Sequence, residues 1–179
     1  MFGNGLRKPK AVRVGGKRLS DILEAHAKFA SAAEGGVRAE LAGADLARVD
    51  FSGAVLTHAN LAGACLERSS LREAKLTSAD ISGAKLCKAD LRTCDATGAN
   101  FSGADLTEAD LSGAELFRAD FTGALLKRAR VRAANFRQAV LRNADLTGAD
   151  LNVASLRQTD MEGAALEGAD LKTSIIRKV

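Results

Sequence analysis

The chain has no tryptophan and no tyrosine, and only seven of its 179 residues are phenylalanine. Without large aromatics, its core must be assembled from small and medium aliphatic side chains, chiefly Ala and Leu. A single proline excludes a Pro-rich linker. The three cysteines, Cys65, Cys87 and Cys94, are odd in number and lack C-x-x-C spacing. They read as reduced thiols in a cytoplasmic protein rather than as a disulfide framework or a metal site. Residues 1–20 lack an apolar run of signal-peptide length, and no stretch is long enough to span a membrane. The two histidines, His26 and His58, lie on different elements, and no Ser/His/Asp or metal-ligand constellation stands at workable spacing. The sequence therefore predicts no enzyme, no metal and no cofactor.

What is present is a repeat. From Ala39 the chain reads AELAG ADLAR VDFSG AVLTH ANLAG ACLER, and the register runs to Lys178 without insertion or deletion, in 28 five-residue units. With the central residue labelled i, it is Leu in 19 units, and Phe at Phe51, Phe101, Phe121 and Phe136. Ile81, Val131, Met161 and Ile176 fill four more, and Ala96 is the one small centre. Position i−2 is Ala in 23 units, and i−1 is mostly Asp or Asn. A period of five matches neither an amphipathic helix nor an alternating strand.

This A-(D/N)-L-x-x pattern resembles the pentapeptide-repeat family. The resemblance implies an all-β solenoid, a right-handed quadrilateral β-helix in which each unit forms one face and 20 residues make a coil. It also implies that i and i−2 point inward and i−1, i+1 and i+2 outward. The glycines agree independently with a 20-residue coil. All eleven within the repeat stand at i+2, and Gly43, Gly63, Gly83, Gly103, Gly123 and Gly163 share one column with Asn143. Gly and Asn tolerate positive φ, so one corner is predicted to use the same tight turn at nearly every level. The 28 units then make seven coils, a rod of roughly 34 Å at one strand spacing per coil. Asp or Asn at i−1 is suited to bond nearby backbone amides, and Ala96 is expected to leave a local defect in the ladder of centres.

Three domains follow: a basic arm at 1–18, a capping helix and turn at 19–38, and the repeat at 39–179. In LSDILEAHAKFASAA, Leu19, Ile22, Leu23, His26, Phe29 and Ala30 share one helical face. Ser20 is the expected N-cap, and Gly35-Gly36 the expected stop. A solenoid needs its open end covered, so this helix is read as the cap on the first coil, with His26 a packing residue. The run GGKRLSDILEAHAKF…GGVRAEL also resembles a leader found before bacterial repeat arrays. Residues 1–38 hold eight basic and three acidic residues, whereas residues 39–179 are close to neutral at −1. The arm residues Arg7, Lys8, Lys10, Arg13, Lys17 and Arg18 are candidates for contact with nucleic acid or an anionic lipid surface, or the segment contributes Val12 and Val14 to a short strand.

The reading these observations favour is a rigid protein-interaction scaffold with an unidentified protein partner. Its alternatives are a modulator of DNA gyrase and weak nucleic-acid binding through the arm. Well-known members of the resembled family protect gyrase by mimicking DNA with an acidic rod. Against that, the repeat here is nearly neutral, shows no loop insertion, and stops directly after its last unit.

The run KRARVRAANFRQAVLRN, residues 127–143, has six bases and no acid. Wrapped on a coil it becomes a belt, in which Arg128 is expected to face Glu108, Arg130 to lie between Asp110 and Asp150, and Arg142 to face Glu162. Arg137, Arg157 and Arg177 share one outward column headed by Phe117, on which Arg137 is expected to stack, with Gln138, Gln158 and Lys178 beside them. This column is the candidate surface for an anionic partner. Ile175, expected to point outward beside a buried Ile176, marks the candidate end for homodimerisation.

Overall fold

The computed structural model describes residues 5–176. From Glu40 onward, every paired residue meets the residue 20 further on in a parallel bridge, starting with Glu40↔Asn60 and reaching Ser155↔Ile175. Each face contributes one bridged residue, always i−1, before the chain turns. Extended strands therefore do not develop in the repeat, although the ladder is continuous along the axis.

One hydrogen-bond scheme recurs. The N–H of Leu41 donates to the Asn60 carbonyl (2.7 Å), Gly43 N–H to Ala62 (2.8 Å), and Asn60 N–H back to Ala39 (2.9 Å). A turn bond, such as Ala44 N–H to the Leu41 carbonyl at 3.1 Å, closes each corner. The amide of i+1 stays outside this scheme, and the i−1 side chain accepts from it. Ala47 N–H donates to Asp45 Oδ1 at 3.1 Å, and Thr122 N–H to Asp120 Oδ1 at 2.8 Å. This is the structural reason for Asp and Asn at i−1.

The glycine column keeps one tight turn at every level, Asn143 included, and the other three corners share it. Every i+2 residue from Gly43 to Gly168 has positive φ, whether glycine or not, including Arg48 (58°), Ala133 (55°) and the β-branched Val153 (63°). All four corners thus use the same turn, with a left-handed third residue as in type II. Glycine lowers its strain without deciding where it falls.

Inside, the centres from Leu41 to Leu156 are buried, and the i−2 residues are buried or nearly so. The rings of Phe101 and Phe121 stack on successive levels with centroids 4.7 Å apart and planes 3° from parallel. Ala96 is fully buried, and the backbone bonding continues through it, its N–H donating to the Glu115 carbonyl at 2.8 Å.

The N-terminal segment covers the first coil. A 3-10 turn, Pro9–Ala11, leads to strand β1 (Arg13–Val14), which pairs antiparallel with β2 (Lys17–Arg18). Gly15 and Gly16 both have positive φ, the requirement of a two-residue I′ hairpin turn. Helix α1 spans Leu19–Ala30, preceded by Arg18, and Ser20 does not cap it: its hydroxyl donates to Asp21 Oδ1. Nor does Gly35-Gly36 stop it. Ala32 takes the left-handed position (φ 55°), and Ala33 and Ala32 donate to the Lys28 and Phe29 carbonyls, a Schellman ending. Gly36 serves a different purpose. A Cβ there would clash with the Phe29 backbone nitrogen, so the chain leaving the helix lies directly on its backbone.

Candidate interaction surfaces

His26 anchors the cap. It is fully buried, its Nδ1 accepts from the Ala39 N–H at 3.0 Å, and its ring stacks on Phe29 with centroids 5.6 Å apart. Burial, reinforced by the positive charge of Arg38, pushes its pKa below the usual histidine value.

Over the described residues 5–18 the basic segment is pinned against the first coil rather than free. Arg7 N–H donates to the Arg48 carbonyl at 2.6 Å, and Asp50 N–H donates to the Arg7 carbonyl at 2.9 Å. Arg7 thereby stands where a preceding coil would, bridged in parallel to Val49. Its guanidinium reaches the Ala47 carbonyl (3.2 Å), and Lys8 pairs with Asp50 at 2.6 Å. That contact, first among several, holds the Asp50 carboxyl below the usual carboxylate range. Val12 and Leu19 are buried against the repeat, so the alternative of a short strand contributed by this segment is close to what forms. Arg13 folds over the hairpin tip onto the Gly16 carbonyl (2.7 Å), while Lys10, Lys17 and Arg18 are exposed.

Between β1–β2, α1 and the first coil lies a cleft of about 820 Å³. Val14, Ile22, Ala25 and Val37 supply its apolar lining, and Arg13, Lys17, Arg18 and Arg38 its cations, against Asp21 and Glu40. Val37 is 61% exposed there. The sequence offered no sign of this cleft, because its walls come from three separate segments.

The belt is largely neutralised. Lys127 pairs with Asp145 (3.1 Å), Arg130 with Asp110 (3.8 Å), Arg132 with Asp150 (3.4 Å), and Arg142 with both Asp160 and Glu162 (2.5 Å each). Arg128 does not meet Glu108, which pairs with Lys88 at 3.4 Å. The candidate column is also rearranged. Arg118, not Arg137, lies over the Phe117 ring, 4.9 Å from its centroid. A polar chain then runs down the corner, from Arg118 Nε to Gln138 Oε1 (2.9 Å) and from Gln138 Nε2 to Gln158 Oε1 (3.0 Å). Arg137 and Arg157 remain exposed beside it; Arg177 and Lys178 lie outside the described residues. Ile175 is 44% exposed, and Ile176, expected to be buried, is 54% exposed, with Met161, Leu166 and Leu171 half-buried.

A bidentate pair sits on the third face, where Arg92 donates to both oxygens of Asp90 at 2.8 and 2.6 Å. Burial of Asp90 opposes its ionisation, but the Arg92 hydrogen bonds outweigh burial and keep its pKa low. Among the thiols, burial raises Cys87 to about 11, with Asp105 adding to it, and burial raises Cys94 to about 12. Neither is ionised as a nucleophile near neutral pH. Among the described residues no group of three His, Cys, Asp or Glu is placed to hold a metal, and no helix is long and apolar enough to cross a membrane.

Five-residue faces, a 20-residue bridge spacing and a sealed aliphatic interior define a four-sided solenoid repeat protein. The family model for pentapeptide repeats matches in eight copies, over residues 37–72, 56–92, 74–113, 114–152 and 134–172. The chain belongs to the pentapeptide-repeat family, whose fold is the right-handed quadrilateral β-helix. Among solved structures, it is similar to a pentapeptide repeat protein of the Arabidopsis thaliana thylakoid lumen, with 35% identity over 58% of this chain and 69% of that one (TM-score 0.40). It is also similar to QnrB1, a plasmid-mediated fluoroquinolone resistance protein, with 21% identity over 79% of this chain and 78% of that one (TM-score 0.48). A third is HetL of the cyanobacterium Nostoc, involved in heterocyst differentiation regulation, with 26% identity over 84% and 94% (TM-score 0.23). Among curated proteins, none matches the chain.

Proposed function

We propose that the protein is a non-enzymatic, rigid protein-interaction scaffold of seven coils, capped by α1. The observation that carries this reading is the uniformity of the corners. With every i+2 residue from Gly43 to Gly168 in one backbone state, the outward side chains form fixed columns whose members lie 20 residues apart in sequence. Such a surface presents side chains to a partner with little ordering entropy left to lose on binding. The exposed Arg137 and Arg157, beside the Phe117–Arg118 stack, form the surface on this rod suited to an anionic partner. A second copy is suited to the apolar end at Ile175 and Ile176. The intermixed ion pairs support this reading over gyrase modulation by DNA mimicry, which needs a dense negative field.

Proximity labelling in the native host, followed by binding assays on purified partners, tests the scaffold reading. It expects a protein partner whose affinity falls in Arg137→Gln/Arg157→Gln. The absence of any reproducible protein partner, or inhibition of gyrase supercoiling by the purified protein, would overturn it. Analytical ultracentrifugation expects a concentration-dependent dimer that Ile175→Asp/Ile176→Asp abolishes, and a strict monomer at high micromolar concentration removes the end-to-end contact.

A further inference from the structure

The N-terminal segment shows how an extended chain docks on this rod. On the third face, Arg7 pairs its backbone with the first coil at Arg48 and Asp50, and satisfies the edge amide of Asp50. On the opposite, first face the equivalent edge residue is Glu40. Its N–H and C=O have no partner among the described residues, and it lines the cleft between the hairpin and α1. An open strand edge of this kind is a template for β-augmentation, in which backbone bonds supply affinity and alternate side chains supply selectivity.

The surroundings of that edge select the occupant. Four cations and two acids line the cleft. One of the acids, Glu40, is already engaged by Arg38 at 3.4 Å and by Asn60 Nδ2 at 2.7 Å. Lys17 and Arg18 project from β2 without an acidic partner among the described residues. Beside them, Val14, Ile22 and the exposed Val37 offer an apolar surface. Alternating acidic and apolar residues suit this pairing of cations with aliphatic lining, because successive side chains of a strand point to opposite sides.

We propose that this cleft is a docking groove for an extended acidic peptide segment of a protein partner, added as a strand against Glu40. The proposal rests on the scaffold reading but fails separately from it, since a partner held only by the rod columns would leave the cleft empty.

The probe is an (Asp-Val)4-amide peptide carrying fluorescein on its N-terminal amine, titrated by anisotropy against the full chain. Binding is expected to weaken by about tenfold or more in Lys17→Glu/Arg18→Glu, a difference of about 1.4 kcal/mol or more. It should change less than about twofold in Arg128→Glu/Lys172→Glu, exposed cations that lie outside the cleft. Because both β2 side chains are exposed, the first variant is expected to keep its helix signal and melting temperature. In the wild-type complex, hydrogen exchange at the Glu40 amide should slow. Four results would overturn the proposal: no binding, equal losses in the two charge-reversed variants, (Asp-Ser)4 or (Lys-Val)4 binding as tightly as (Asp-Val)4, and unchanged exchange at Glu40 on binding. Displacement of the peptide by a short DNA duplex at lower concentration would assign the cations to nucleic acid instead, and would also overturn it.

Discussion

Alanine at position 133 is forced into a left-handed backbone state, with φ at 55°. Its side chain is exposed, so removing the methyl group sacrifices almost no burial. Left-handed geometry costs an L-residue roughly 1–2 kcal/mol through the clash of Cβ with the carbonyl. Glycine avoids that cost but gives up about 0.4–1 kcal/mol through the greater freedom of its unfolded chain. The balance for Ala133→Gly lies between about 0 and about 1.6 kcal/mol of stabilisation and centres on about 0.8, or about 2–3 °C in melting temperature for a chain of this size. Ala42 provides the control: it is equally exposed but stands at i+1, outside the positive-φ positions. There the same substitution should destabilise by about 0.5–1 kcal/mol. Thermal and urea denaturation followed by circular dichroism read both variants. The opposite signs are the essential result, because the chemical change is identical. If Ala133→Gly lowered the urea midpoint as Ala42→Gly does, the claim that every corner shares one left-handed turn would be refuted.

Further predictions concern the cap and the ion pairs. Gly36→Ala should detach α1, because the new Cβ would clash with the Phe29 backbone; hydrogen exchange across residues 19–30 should rise while the repeat stays protected. The His26 pKa is lowered in the folded state, so its contribution to stability is complete above the unfolded value of 6.5 and is lost as pH falls from there toward the folded value. Arg38 and His58, which face it, oppose the imidazolium further. Exchange in α1 should therefore quicken between pH 7 and 5, and His26→Asn, which keeps an acceptor for the Ala39 N–H, should remove that pH dependence. Asp90→Ala should cost about 1.5–3 kcal/mol by stripping Arg92 of a charge-assisted bidentate partner at a site only 5% exposed. Arg142→Ala, on the open surface, should cost clearly less than Asp90→Ala despite its two partners. Equal losses from these two substitutions would show that burial does not set the strength of these pairs.

The solenoid was legible because its cause is local and repeated. An unbroken five-residue phase puts Leu41, Leu61 and Ile81 at equivalent places, and in the four-unit coil that the family resemblance implies they share one buried column. The Asp at i−1 was legible for the same reason, since its acceptor role involves an amide two residues away. The glycine corner was legible, but its turn is shared by the other three corners, which composition did not reveal. Composition records where positive φ is relieved, and Arg48, Ala133 and Val153 occupy it without relief because the ladder on either side holds them there.

The sequence by itself determined the phase of the repeat and the residue at each place in it, because these are read from residues a few positions apart. That four units close a coil and that i and i−2 face inward came from the family resemblance, with support from the glycine column. Tertiary structure decided what the charges do. Lys8 and Arg7 read as members of a free basic arm until Asp50 and the open carbonyls of the first coil are placed beside them. Likewise Arg118 takes the Phe117 ring from Arg137 through its place on the same turn. A long charged side chain reaches whatever the fold brings near, and only the docked chain shows which acid, ring or edge that is.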